Sequence, residues 1–388
     1  MKLISRINQF PPLTDEERMV VDNVRKLCQD KLAPRAAKYD QTQEFPWENI
    51  KDINELGLNG IFIPEAYGGA GLSYAAYLSC VKEMAKACAA TGLIWATNFH
   101  ASKPIVDNGT DEQKARLLPI VLKGGIVAAC ITEPGAGSNA TGMKTRLTPD
   151  GDDVIIDGSK IFITNGDVAD LMLVYGKWSE LGDGKNAMTA IMMEKNTPGM
   201  TVIRKEDKMG MRASSTCALA FEGCRVPRAN LLCAPGEGLK MLLDLLNKSR
   251  PSVAAHALGI AECAFEDAVA YVNERKQGGR NVIDYQGVQF MLADMATDLA
   301  MCNAWLWYVT NLIEREGWNI GVEASMAKMR ASDLAMRITT DAVQLHGGYG
   351  YCKDYRVERL MRDAKVTQIY EGTNQIHRQE IGRSFIAR

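Results

Sequence analysis

No stretch of this 388-residue chain approaches the roughly 20 consecutive apolar residues that span a bilayer, so membrane insertion is not expected. An excess of charge of one sign is also missing, since 45 Lys and Arg stand against 47 Asp and Glu. With no basic run and no interleaving of basic and aromatic residues, nothing supports nucleic-acid binding. The ten cysteines, at 28, 80, 88, 130, 217, 224, 233, 263, 302 and 352, form no C-x-x-C, which removes zinc-ribbon and thioredoxin-like spacing. The four histidines, at 100, 256, 346 and 377, offer no H-x-x-x-H pair, and no metal is expected. Free thiols in a reducing compartment are expected, and a catalytic Cys–His pair is disfavoured. Met1–Ser5 carries neither a long apolar signal region nor the Arg/Ser bias of a transit peptide. A cytoplasmic location is favoured, although a mature protein of the mitochondrial matrix would read the same way.

The length suits two or three domains or one multi-lobed unit, and the character of the chain changes twice. Residues 1–124 read as a helical domain. Thr14-Asp15-Glu16-Glu17 is a capping-box pattern, and Met19, Val20, Val24 and Leu27 recur near helical period. A glycine-rich loop at 64–71 precedes a second helical block from Tyr74 to Ala90, and a third begins at Asp111. Residues 125–234 turn to short alternating strands, such as 153–158, 171–176 and 187–194, separated by Gly, Pro, Asn and Asp. An antiparallel barrel or sandwich is expected there. Residues 235–388 are helical again, with amphipathic runs at 239–275, 286–316 and 321–346. The fold class predicted is mainly α with a middle β domain.

Two motifs bear on chemistry. Gly135-Ala136-Gly137-Ser138-Asn139-Ala140 matches the dinucleotide fingerprint G-x-G-x-x-A, but residues 141–164 show turn glycines and alternation instead of the helix that fingerprint needs. The glycines and hydroxyls suit a loop whose backbone lies against a flat or phosphorylated ligand. The second motif, Gln368-Ile369-Tyr370-Glu371-Gly372-Thr373-Asn374-Gln375, carries more information. Glu371 stands beside an apolar ring, Gly372 permits close backbone approach, and Thr373 is a candidate N-cap that leaves nearby N–H groups for an incoming oxygen. That combination suits a base removing a proton from carbon.

Taken together, these segments resemble the acyl-CoA dehydrogenase family of flavoproteins. Thr132-Glu133-Pro134-Gly135-Ala136-Gly137-Ser138 is similar to one family signature. Gln344 to Gly350, Arg362 to Lys365 and Ile369 to Thr373 are similar to the other. Phe162-Ile163-Thr164-Asn165-Gly166 and Lys248-Ser249-Arg250-Pro251 match in the expected order, so the resemblance covers essentially the whole chain. It implies a helical N-terminal domain, a middle β domain and a C-terminal four-helix bundle, assembled as a homotetramer with one FAD per subunit. The implied reaction is α,β-dehydrogenation of an acyl-CoA thioester to the 2-enoyl-CoA, with electrons passing to electron-transferring flavoprotein.

The resemblance also assigns roles. Glu371 is the implied base, its own N–H and a flavin ribityl hydroxyl hold the thioester oxygen, and the β-hydride leaves to flavin N5. Ile131, Thr132, Gly137 and Ser138 should line the flavin or the CoA entrance, with Ser138 also on the substrate side. Phe162 stands where many relatives carry Trp, which keeps an aromatic face and removes an N–H; Thr164 reaches the N5 region. Arg275, Gln286, Gln344 and Gly348 fall in a cradle for the FAD of a neighbouring subunit, and Thr373 and Gln375 on its adenosine side. Asn98, Ser249, Arg250, Tyr370 and Gly372 fall around the acyl group. Trp95, His100 and Ser102 share the helix of Asn98, where polar groups face either the acyl pocket or other helices.

Three departures matter. Arg275-Lys276-Gln277-Gly278-Gly279 places glycine where an aromatic residue packs on the cofactor in relatives, so altered flavin packing is expected. Ser249 occupies the helix position that carries the base in isovaleryl-type members, and Glu371 is present instead. Thr91 and Gly92 stand near the place of a carboxylate-binding arginine, which disfavours a dicarboxylate substrate. The alternatives to dehydrogenation are an enoyl-CoA reductase running the same chemistry in reverse and a non-catalytic binding or assembly protein.

Overall fold

A computed structural model describes residue 6, residues 13–317 and residues 319–386; the leader reading of Met1–Ser5 lies outside them. The first helix, α1 (Asp15–Leu27), starts from the expected capping box. Thr14 Oγ1 accepts from the Glu17 N–H, and the Glu17 carboxylate accepts from the Thr14 N–H. Helices α2 (Ala33–Thr42) and α3 (Trp47–Glu55) follow. The expected block from Tyr74 to Ala90 is two helices, α4 (Tyr74–Ala87) and α5 (Ala89–Asn108), parted at Cys88 by extended backbone with φ −152°. Both are buried on nearly every side, so no amphipathic stripe marks the break. A second capping box, Thr110 with Gln113, opens α6 (Asp111–Leu122).

Seven strands form the middle sheet: β1 (Val127–Cys130), β2 (Arg146–Asp150), β3 (Asp153–Thr164), β4 (Leu171–Trp178), β5 (Met188–Glu194), β6 (Met200–Lys205) and β7 (Thr216–Pro227). Their order is β1-β4-β2-β3-β7-β6, with β5 also on β4. The sheet is not wholly antiparallel as expected, because β4 runs parallel to both β1 and β2. The β2–β3 hairpin lies between β1 and β4 in the chain, and parallel neighbours meet only through a long connection of this kind. Alternation along β4 feeds two cores. Leu171, Leu173 and Tyr175 pack toward α5 and α6, while Met172 and Val174 pack with Leu147 and Phe221.

The three C-terminal runs fold as α7 (Gly238–Glu274), α8 (Gln286–Glu316) and α9 (Gly321–His346), within one residue of the expected spans. A small hairpin, β8 (Lys276–Gln277) and β9 (Arg280–Asn281), joins the first two, and α10 (Val357–Thr367) and α11 (Asn374–Arg383) close the chain. One apolar core joins α1, α4 and α5 to α7, α8 and α9 through residues such as Val24, Tyr77, Phe99, Leu258 and Ile338. Helix α7 touches α4, α5, α9 and the sheet strand β5, so it stands where the three parts of the chain meet. Pro251 inside α7 has no N–H for the preceding turn, and the Tyr74 hydroxyl donates to the neighbouring Lys248 carbonyl.

Candidate active site

The turn between α10 and α11 carries the candidate base. Thr373 is the N-cap of α11, its hydroxyl accepting from the Ile376 N–H, and the Asn374 N–H closes the loop onto the Gln368 carbonyl at 3.1 Å. Between these anchors Glu371 adopts φ +53° and Gly372 φ +92°. A glutamate held in left-handed backbone costs on the order of 1–3 kcal/mol and persists only where its surroundings over-determine it. Here they do. Ser249 Oγ donates to Glu371 Oε2 at 2.5 Å, and Lys328 Nζ donates to the Gly372 carbonyl at 2.7 Å and to Asn374 Oδ1 at 3.0 Å. A Cβ on Gly372 would stand 3.2 Å from the His377 ring, so neither the angle nor the space suits a side chain there.

The ground beneath this turn is charged and dry. Burial lowers the Lys328 pKa to about 7, against the pull of the Glu371 carboxylate. Burial, then the positive charges of Lys328 and Arg250, lower His377 to about 3, so its ring is neutral at pH 7. Arg250 is buried on α7 and reaches Glu380 at 2.8 Å and Ser325 at 3.0 Å; Ser325 in turn meets His377 Nδ1 at 3.2 Å. Arg250 therefore holds α9 and α11 together under the base. The Glu371 N–H, by contrast, donates to nothing among the described residues.

On the other side of the carboxylate, Ser249 and Ser252 lie one turn apart on α7. Ser252 Oγ meets the Tyr77 hydroxyl at 3.1 Å and His100 Nε2 at 3.2 Å, and Tyr77 stacks on Phe99 at 4.0 Å between centroids. Asn98, expected around the acyl group, has its amide engaged with backbone. Its Oδ1 accepts from the Val127 N–H at 2.8 Å and its Nδ2 donates to the Gly125 carbonyl, so it ties α5 to the unpaired backbone at the head of β1. Ser102 bonds back to the Asn98 carbonyl, and Trp95 packs on Tyr77, both within the helical layer.

A second face is built on the sheet. The register of β3 against β7 shifts between Lys160 and Ile163, and this bulge gives Phe162 φ +58° and leaves it 61% exposed. Bulges commonly re-aim a side chain beside a site, and an apolar ring held out in strained backbone is a platform for a flat ligand. The 131–138 loop is pinned next to it. Lys160 Nζ donates to the Ile131 carbonyl at 3.0 Å, the Ile161 N–H to the Thr132 carbonyl at 2.9 Å, and buried Glu133 accepts from Lys160, Thr145 and the Lys144 N–H. Gly137 and Ser138 are exposed beyond that anchor, with nothing within 4 Å of a Cβ on Gly137, and Thr164 ends β3 half-buried. After Ala140 comes a single turn and then β2, not the helix of a dinucleotide fingerprint.

A third group opens on a groove of about 530 Å³ at the far end of the bundle, lined by Tyr271, Arg275, Gln344, Gly348 and Tyr349 among others. The Arg275 guanidinium lies over the Tyr349 ring at 5.4 Å. Gln286 opens α8 four residues after groove-lining Val282 and is exposed, as is Gln375 on α11. Gly278 and Gly279, at φ +60° and +81°, are the two central residues of the β8–β9 hairpin, the pairing that a primed two-residue turn requires. The Tyr285 hydroxyl would lie 2.6 Å from a Cβ on Gly278 and donates to the Gln277 carbonyl. The glycine is thus accounted for by the turn and by an aromatic residue arriving from a later position. An exposed ring, an open glycine loop and an arginine groove fit a flat, phosphate-bearing cofactor.

Family models for the acyl-CoA dehydrogenase N-terminal, middle and C-terminal domains match residues 14–125, 128–224 and 236–386. An acyl-CoA dehydrogenase of Bacillus subtilis is 43% identical, covering 96% of this chain and 98% of that one. The chain belongs to the acyl-CoA dehydrogenase family. An acryloyl-CoA reductase (NADH) of Anaerotignum propionicum is 41% identical over 97% of this chain and 96% of its own. The solved butyryl-CoA dehydrogenase of Megasphaera elsdenii superposes with TM-score 0.93 at 38% identity, covering 97% of this chain and 99% of that one. As a member of the acyl-CoA dehydrogenase family the protein is an oxidoreductase, and its fold is the helix–sheet–helix architecture described above.

Sequence reasoning missed Lys328, Ser252 and Glu380 in this acyl-CoA dehydrogenase site. A signal for the first was available. Lys328 lies on the buried face of α9 among Ala324, Ala327, Ala331, Ala335 and Ile338, with Ser325 and Ser332 as its polar neighbours, and a lysine on such a face needs a partner. The hydroxyl of Ser252 and the carboxylate of Glu380 had no comparable mark.

Proposed function

We propose that this protein dehydrogenates an acyl-CoA thioester to the 2-enoyl-CoA, with Glu371 removing the α-proton. The observation that carries the reading is the Glu371 turn itself: a carboxylate in strained backbone, gripped by Ser249, braced through Gly372 by Lys328, with its own N–H free among the described residues. An α-proton beside a thioester is weakly acidic, so removal needs a placed base and a donor on the carbonyl oxygen. Glu371 supplies the first with its carboxylate and the second with its N–H. Tyr370, the neighbouring residue, packs against the core and sets an apolar ring beside the base. Ser249 serves the base as a donor and does not replace it.

FAD, when bound, supplies the acceptor for the β-hydride at its N5. Ile131, Thr132, Gly137, Ser138, Phe162 and Thr164 would hold its ring system on the sheet face. Thr373 and Gln375 would meet its adenosine side. Arg275, Gln286, Gln344 and Gly348 would hold the pyrophosphate and nucleotide of a second copy's FAD, with the guanidinium fork suited to phosphate oxygens. A homotetramer, electron-transferring flavoprotein as electron acceptor and a cytoplasmic location complete the proposal; the ten free thiols suit a reducing compartment. A second reading, enoyl-CoA reduction by the same residues in reverse, is favoured by the likeness to the acryloyl-CoA reductase.

The test is an anaerobic visible spectrum of the purified protein before and after butyryl-, octanoyl-, isobutyryl-, cyclohexanecarboxyl- and phenylpropionyl-CoA. Bleaching of a bound flavin band by one of them is expected. A flavin that none bleaches but that an enoyl-CoA reoxidises after reduction would favour the reductase direction. Failure to bind FAD even after reconstitution would overturn the reading.

A further inference from the structure

We infer that His100, set by Ser252 and Tyr77, is a polar end wall of the acyl site that selects acyl-CoA thioesters carrying a hydrogen-bonding oxygen on the acyl chain over plain hydrocarbon chains of equal length. The inference rests on the dehydrogenation reading and names the substrate class for it. Its geometry begins on α7. Ser249, which grips the base, and Ser252 are three residues apart, which places their side chains roughly 5–6 Å apart on one helix face. Ser252 Oγ meets His100 Nε2 at 3.2 Å, so the imidazole stands within about 12 Å of the base carboxylate. The Glu371 charge accordingly acts on both His100 and Tyr77.

The rest of this wall is aromatic, with Tyr77 stacked on Phe99 and Phe99 edge-on to His100. A ring nitrogen in such a place is left alone at a cost of about 1–3 kcal/mol when fully enclosed, and without that cost only where it keeps access to water or a ligand. His100 is only 7% exposed; its Nδ1 has no partner among the described residues and is not fully enclosed, so it keeps an accessible edge on which a ligand atom can be met. Burial holds the ring neutral, so it presents one donor and one acceptor. Ser252 has a single hydroxyl proton for two neighbours. When the Tyr77 hydroxyl donates to Ser252, Ser252 donates to Nε2 and Nδ1–H is left as a donor; the reverse relay leaves Nδ1 as an acceptor. A hydroxyl on the acyl chain can answer either state, whereas a methyl group answers neither.

The experiment compares kcat/KM for two nearly isosteric pairs, 4-hydroxybutyryl- against pentanoyl-CoA and 5-hydroxypentanoyl- against hexanoyl-CoA, in the FAD-loaded wild type, His100→Leu and His100→Gln. In the wild type the hydroxylated member of at least one pair is expected to lead by about tenfold or more, because a site that hydrogen-bonds a substrate oxygen rejects the analogue lacking it. His100→Leu should lower that ratio at least tenfold, and His100→Gln, which retains hydrogen-bonding atoms, should keep part of it. A wild type that prefers the hydrocarbon in both pairs, or a ratio unmoved by either variant, would overturn the inference while leaving dehydrogenation intact. Flavin bleaching by none of the four thioesters in the wild type would overturn the dehydrogenation reading and this inference together.

Discussion

Replacing Lys328 by Met removes the brace under the base turn, and the structure gives the size of two separable effects. The variant loses the donors to the Gly372 carbonyl and to Asn374 Oδ1, leaving buried acceptors worth about 1–3 kcal/mol each if nothing replaces them. The turn they hold carries Glu371, and a displacement near 1 Å at a reacting group costs about 100-fold. The rate of flavin reduction by acyl-CoA should therefore fall roughly 10–100-fold at unchanged FAD content. The second effect is a pH signature. Burial lowers the folded-state pKa of Lys328 from its ordinary 10.5 to about 7, so between those values the unfolded chain binds more protons than the folded one. Wild-type stability must then rise with pH through this window and be lost as pH falls toward 7, an effect absent from the methionine variant. At 1.36 kcal/mol per unit, the wild type gains at most about 2.7 kcal/mol on the variant between pH 7.5 and 9.5. Stopped-flow flavin reduction reads the first effect, and melting temperatures at equal protein and FAD concentration read the second. Reduction at the wild-type rate, or a melting-temperature gap that is the same at both pH values, would refute the reasoning.

Two further substitutions probe the same turn. Gly372→Ala should destabilise the turn by roughly 1–3 kcal/mol and slow flavin reduction more than it weakens acyl-CoA binding, since φ +92° and the His377 ring both oppose a Cβ; an unchanged melting temperature and rate would count against it. Ser249→Ala removes a hydrogen bond to a carboxylate, worth about 1.5–3 kcal/mol, so flavin reduction should slow by about 10–100-fold with KM little moved, a split that steady-state kinetics resolve.

Much of the architecture was legible because its signals are local. The stripes of α8 and α9 and the capping residues Thr14 and Thr373 each announce themselves within a turn or two. What escaped depends on groups far apart in the chain. The break at Cys88 lies between two helices buried all round, so periodicity carries no mark of it. The parallel seating of β4 between β1 and β2 is a choice of partner, which alternation does not encode. Asn98 reads as a polar pocket residue until the backbone of residues 125 and 127 is seen to need it. Gly278 reads as a missing aromatic until Tyr285 is found above it. The candidate site divides the same way: Glu371, Gly372 and Thr373 were visible in one octapeptide, whereas Lys328 and Ser252 acquire meaning only when α9 and α7 are packed around that turn.

The most direct test of Glu371 as the base is the anaerobic spectrum of Glu371→Gln with an acyl-CoA that bleaches the wild-type flavin. The amide is close to isosteric and cannot accept the α-proton, so the flavin band should remain, bound and unbleached, with the reduction rate down by orders of magnitude. Bleaching at the wild-type rate in that variant would contradict the account at its centre.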